Sequence, residues 1–130
     1  MQRIVSGTLR GRRLLSLPNS ITGVRPSSSR VRSAIFDRLQ HEVVGARVLD
    51  LFAGTGALAI EAISRGAAHA TLVEQQPQLI RFLDQQLDAL GIHAHARVIM
   101  GDARGVLGER GGRAAGRSAG ATGRSAGATG

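Results

Sequence analysis

The chain has 130 residues, enough for a single domain, and no cysteine, which excludes a disulfide framework and a thiolate metal site. No apolar run reaches membrane-spanning length, and the N-terminus MQRIVSGTLRGRR lacks a signal core, so no membrane association and a cytoplasmic location are expected. The formal net charge is +8, with arginine as the sole carrier of fixed positive charge, and this excess points to a polyanionic partner.

In chain order, Arg3 to Gly7 (RIVSG) and Arg12 to Leu15 (RRLL) read as two short strands joined by a TLRG turn. Pro18 to Arg25 reads as loop. After Pro26, Ser27 to Ser29 offer helix N-caps, and Val31, Ala34, Ile35 and Leu39 follow at helical spacing. Residues 1–47 hold nine arginines against two acids, so this N-terminal part carries most of the positive charge. Residues 48–103 reverse the balance, with three arginines against six acids.

Ala46 to Phe52 reads as a strand, and Thr55 to Arg65 as a helix closed by Gly66. A second strand, Ala70 to Glu74, precedes a helix that opens at Pro77 and ends at Gly91. Ala96 to Met100 is the third strand. Strands alternating with helices of this length predict an α/β fold with a parallel sheet. From Gly108 the sequence becomes rich in glycine, arginine and alanine, and RSAGATG occurs twice in succession at 117–123 and 124–130. Such a segment cannot bury enough apolar surface to offset its ordering entropy, so a disordered tail is predicted.

The loops at the carboxyl ends of parallel strands line the ligand crevice of an open α/β sheet. Here they carry Asp50 with an AGTG turn, then Glu74, then Asp102. Glu74 lies 20 residues after Gly54, a spacing suited to an acid that grips ribose hydroxyls. GTGALA also satisfies the looser dinucleotide pattern G-x-G-x-x-A. A pyrophosphate, however, sits poorly beside an acid. S-adenosylmethionine has no phosphate and carries a sulfonium, an ammonium and an adenosine. Asp50 toward the ammonium, Glu74 on the ribose and Asp102 toward the adenine amine would all be favourable, and three acids together favour the methyl donor over a dinucleotide. His93 and His95 could share a strand face, but no third ligand lies near them, so no metal is expected. Phe36 and Phe82 read as core residues.

RPSSSRVRSAIFDRL (25–39), ARVLDLFAGTGALAIEAISRGAAHATLVEQ (46–75) and ARVIMGDA (96–103) resemble the bacterial 16S ribosomal RNA guanine-N2 methyltransferases, and RIVSGTLRGRRLLSLP (3–18) resembles the N-terminal arm of that family. The resemblance implies a partial Rossmann-like class I methyltransferase fold comprising the first three strands, preceded by a basic β-hairpin arm. It implies S-adenosylmethionine as cofactor, held by Asp50, Phe52, Ala53, Gly54 and Gly56 of the first motif, by Glu74 and Gln75 at the ribose, and by Asp102 and Ala103 at the adenine. It further implies 16S rRNA in the 30S subunit as partner. Arg10, Arg12 and Arg13 would grip phosphates on the arm, and Arg25, Arg30 and Arg32 would help orient RNA beside a segment that closes over the donor.

The family places an Asp/Asn-Pro-Pro-aromatic loop after its fourth strand to accept hydrogen bonds from the guanine amine and stack on the flipped base. This chain has prolines only at 18, 26 and 77 and no aromatic after Phe82. No catalytic residue is assigned. The expected organisation is a basic arm over 1–25, an incomplete donor-binding domain over 26–107 and a low-complexity tail over 108–130. The change near residue 107 reads as a truncated or off-frame end. Without a fourth strand, VLDLF becomes a sheet edge, and a marginally stable, inactive monomer is expected.

Overall fold

A computed structural model describes residues 2–112. Three parallel strands, β1 (Arg47–Asp50), β2 (His69–Glu74) and β3 (Ala96–Met100), form one sheet in the order β1-β2-β3. Asp50 lies opposite Leu72, and Glu74 opposite Met100. Before β1 come α1 (Ser29–Arg38) and α2 (Gln40–Val43). The crossover helices are α3 (Ala57–Ser64) and α4 (Pro77–Leu90), and α5 (Ala103–Gly112) follows β3. No helix among the described residues is long and apolar enough to cross a membrane.

Local chemistry sets these bounds. The Ser28 hydroxyl accepts from Val31 N at 3.1 Å and caps α1, the role expected of the serine cluster. Pro77 occupies the first turn of α4, and Gly91 ends that helix in a left-handed conformation. β1 is shorter than expected because the Asp50 carboxylate turns back to accept from Phe52 N at 3.2 Å, which ends the ladder. His93–His95 form a 3-10 turn ahead of β3, so the two histidines do not share a strand face. The expected tail boundary after residue 107 falls inside α5. Asp102 Oδ1 accepts from Arg104 N at 2.9 Å there, and Val106 is buried, so a cap and an apolar anchor hold this glycine-rich helix. The RSAGATG repeats lie outside the described residues.

The main core joins Ile60 of α3, Leu72 of β2, and Leu83 and Leu87 of α4. A second cluster packs Phe36 of α1 and Val43 of α2 against Ala62 and Ala67. Phe82 is buried as well, so both phenylalanines expected in the core are there.

The N-terminal arm departs from the expected hairpin. It has one antiparallel bridge, between Arg3 and Arg13, flanked by bonds from Ile4 N to Arg12 O (2.9 Å) and Leu14 N to Gln2 O (2.9 Å). The ladder stops because the next amides bind elsewhere: Val5 N and Ser6 N donate to the Glu61 carboxylate, each at 3.1 Å. Ile4 and Leu14 of the arm enter the main core. The arm is therefore part of the folded body.

Candidate functional site

The crevice at the carboxyl end of the sheet is organised around Glu74. Its Oε1 accepts from Gly54 N at 3.0 Å, and its Oε2 from Gln75 N and Gln76 N at 3.0 and 3.2 Å. Its backbone carbonyl accepts from Gly101 N at 2.9 Å. One residue thus fastens the tip of its own strand to the glycine turn after β1 and to the end of β3. A carboxylate offers about four lone-pair sites, so a site on Oε1 remains beyond these three bonds.

The turn itself is tightly built. Ala53 N donates to Val73 O at 3.1 Å, which folds residues 51–56 onto β2. Gly54 and Gly56 take φ of 54° and 84°. A Cβ on Gly56 would lie 2.7 Å from Leu83 Cδ2, so the second glycine is required by packing as well as by conformation. Val24, from the loop before α1, approaches the position a Cβ would take on Gly54 (3.6 Å), which places that loop against the turn.

Asp50 lies half-buried behind this turn. Burial pushes its carboxyl pKa up from the ordinary 3.8, the bond from Phe52 N pulls it down, and the nearby Glu74 charge adds to the rise. Both carboxylates therefore act on one crevice. Asp102 is exposed, with Oδ1 capping α5, and Ala103 behind it is buried. Gln75 is exposed; Ala53 is buried. Phe52, at 78% exposure, projects from the turn. The site residues expected from sequence thus gather at three adjoining strand ends.

The expected basic set divides. Arg10, Arg12, Arg13, Arg25 and Arg30 are exposed. The Arg12 guanidinium donates to Ala89 O at 3.1 Å. Arg32 does not belong with them, and its expected place on the RNA-facing surface is corrected. It is fully buried, pairs with Glu61 at 3.3 Å, and donates to Gln2 Oε1, Ser27 O and Arg3 O. With its donors consumed inside the fold, it cannot reach a phosphate.

Three polar residues missed in the sequence complete the frame. Glu61 accepts from Val5, Ser6, Arg32 and Arg65. Ser64 Oγ donates to Ser6 O at 2.6 Å and accepts from Leu9 N at 2.9 Å. Gln86 links the arm to the glycine turn. Two of them carried a signal: Glu61 is a lone acid in the apolar run ALAIEAIS, and Gln86 falls on the stripe of Leu79, Leu83, Leu87 and Leu90. Among the described residues no cluster of three or more metal-ligating side chains occurs.

A parallel α/β sheet with a glycine turn after its first strand and helices packed as crossovers defines the Rossmann-like class that methyltransferases share with dinucleotide-binding proteins. The Escherichia coli protein yhhF, a candidate methyltransferase, matches it with a TM-score of 0.71 at 38% identity, over 84% of this chain and 57% of that one. A Thermus thermphillus protein of solved structure, hypothetical protein TTHA0928, matches with a TM-score of 0.69 at 35% identity, over 85% of this chain and 61% of that one. The family model described as conserved hypothetical protein 95 matches residues 2–115, and the chain belongs to that family; several of the curated relatives it matches are ribosomal RNA small subunit methyltransferases. Among these, the ribosomal RNA small subunit methyltransferase D of Escherichia coli (strain K12) is 44% identical over 97 residues, which are 75% of this chain and 48% of that protein. The chain spans about half the length of the curated relatives it matches.

Proposed function

We propose that this chain carries the donor-binding part of an S-adenosylmethionine-dependent methyltransferase that modifies guanine N2 in 16S rRNA of the small ribosomal subunit. The supporting observation is the position of Asp50, Glu74 and Asp102 at three adjoining strand ends, with Glu74 bonded to Gly54 and Gly101. That arrangement suits a cationic nucleoside. It does not suit a dinucleotide, because the Gly54 amide that would face a pyrophosphate already donates to Glu74 and a second carboxylate lies behind it.

S-adenosylmethionine fits this donor set and, when bound, supplies an electrophilic sulfonium methyl. Asp50 receives the ammonium of the ligand, and its burial strengthens that attraction while water is excluded. The free Oε1 site of Glu74 accepts a ribose hydroxyl. Asp102 faces the adenine amine, with buried Ala103 behind it. Ala53 and Gln75 complete the lining, and Phe52 offers an exposed ring at the rim. Arg10, Arg12, Arg13, Arg25 and Arg30 hold phosphates of the RNA. The guanine amine is a weak nucleophile because its lone pair is delocalised into the ring. This chain contains no Pro-Pro-aromatic segment to accept bonds from that amine, so by itself it binds donor and RNA without transferring the methyl group.

Calorimetry with S-adenosylhomocysteine and, separately, with NAD tests the ligand class. Saturable binding of the first alone is expected, and Glu74→Ala should abolish it; binding of NAD alone would reject the reading. Incubation of the chain with undermethylated 30S subunits and labelled donor is expected to leave the RNA unlabelled. Guanine-N2 methylation by the 130-residue chain would overturn the assignment of binding without transfer.

A further inference from the structure

Gln86 is 1% exposed in the middle of α4, on the apolar face of the helix. Its Oε1 accepts from Leu15 N at 2.8 Å, and its Nε2 donates to Thr55 O at 3.3 Å. Leu15 closes the arginine-bearing arm, and Thr55 lies between the two glycines of the turn after β1. The two partners have opposite hydrogen-bonding polarity: an amide N–H can only donate and a carbonyl can only accept. Among natural side chains of this length only a primary amide serves both without a change of protonation state, which also fixes the orientation of the glutamine. An apolar residue at this position would leave Thr55 and Leu15 without these bonds. Leucine would otherwise suit the stripe, so the glutamine is there for its two bonds.

We propose that Gln86 is a positioning residue that couples the arm to the donor-binding turn, so that seating of the donor and seating of the arm favour one another. This rests on the methyl-donor reading above. The rest of the wiring supports it. The turn is held on its other side by Glu74, and the arm by Glu61 and Ser64, so both ends of the Gln86 bridge belong to braced segments. Motion of either end is transmitted through a short, buried, direction-specific link. Binding coupled in this way is reciprocal: whatever the donor does to the arm, the arm does equally to the donor. Phosphate contacts on Arg10, Arg12 and Arg13 therefore bear on donor affinity through Leu15, Gln86 and Thr55.

The test uses the full chain with S-adenosylhomocysteine as probe, followed by calorimetry and by amide exchange in NMR. In the wild type, the ligand is expected to move the Leu15 amide resonance and to slow its exchange about threefold, a modest coupling. Gln86→Met fills much the same space and makes neither bond. It is expected to weaken the ligand about tenfold, the scale of a lost buried bond. Its Leu15 amide should lose protection without ligand and no longer respond to ligand. A Leu15 amide that ignores the ligand in the wild type overturns the coupling, as does Gln86→Met binding with wild-type affinity. If Gln86→Met does not fold, the wild-type Leu15 response decides alone. A wild-type chain that binds no S-adenosylhomocysteine rejects the donor reading itself, a separate and recognisable result.

Discussion

At the scale of single residues, the proposed donor site has Asp50 exchange stability for binding. A carboxyl whose folded pKa is raised above its unfolded value releases its proton less readily in the folded state. The folded state then binds more protons, and stability falls as pH rises from the unfolded value through the raised one. The unliganded chain should accordingly be more stable near pH 4 than at pH 7 as far as this group is concerned. Asp50→Asn removes the cost, and its amide oxygen can still accept from Phe52 N. The variant is expected to melt at or above the wild-type temperature at neutral pH while binding S-adenosylhomocysteine at least about tenfold more weakly, as loss of a charged partner requires. Thermal scans at two pH values together with calorimetry check both halves, and a variant that loses stability at pH 7 would contradict the account. The arginines separate by burial in the same way. Arg10→Ala and Arg13→Ala should each lower the salt dependence of RNA binding by roughly one phosphate contact while leaving the melting temperature nearly unchanged. Arg32→Ala should instead destabilise the fold by about 3 kcal/mol or more, because Gln2 Oε1, Ser27 O and Arg3 O lose their donor, at about 1–3 kcal/mol for each acceptor left buried, while Glu61 keeps its pair with Arg65.

At the scale of elements, the docking of the arm onto α3 depends on close backbone approach. Gly7 takes φ of 94°, and a Cβ there would lie 1.9 Å from Ser64 O, a backbone atom that cannot swing aside. Thr8 N donates to the same carbonyl at 2.7 Å. Gly7→Ala should therefore undock the arm, exposing Ile4 and Leu14 and speeding exchange at Val5, Ser6 and Leu9, while the β2 amides stay protected. Unchanged arm protection in that variant would show that the contact is dispensable. The sheet and its crossover helices were legible in the sequence, because Pro77, Gly66 and Gly91 punctuate apolar runs of clear period. The acids were legible because Glu74 closes one of those runs, Asp102 follows another and Asp50 interrupts a third. The docking of the arm was not, since its bonds join polar groups 29 or more residues apart, such as Arg3 to Arg32 and Val5 to Glu61, and leave no local pattern. Arg32 misled for a related reason. Three and four residues before Ile35 and Phe36, it falls on the inward face of α1, but an arginine reads as a surface residue until the arm supplies its acceptors. α5 was hidden by glycines whose helix-breaking tendency is outweighed by the Asp102 cap and buried Val106.

At the scale of the molecule, β1 bounds the sheet among the described residues, and it is an unusual boundary. Val48 packs against both core clusters, yet β1 pairs with β2 on one side only. Val44 and Phe52, at 68% and 78% exposure, flank it. A parallel strand paired on one side sends alternate amides to its neighbour and the others outward, so an apolar edge of this kind invites pairing with another chain. β2 is different: Ala70, Leu72 and Val73 are fully buried between neighbours on both sides. Amide exchange should report this contrast. The β2 amides are expected to exchange only through global unfolding, while alternate amides within 48–50 exchange at least about tenfold faster in dilute solution. Raising the concentration should bring reversible self-association in sedimentation and slow those same amides. Leu49→Lys, which sets a charge on the edge strand, should suppress both effects. Strong and uniform protection across 48–52 in a proven monomer would mean that the edge is covered by something other than a second chain, and that β1 is not the exposed strand described above.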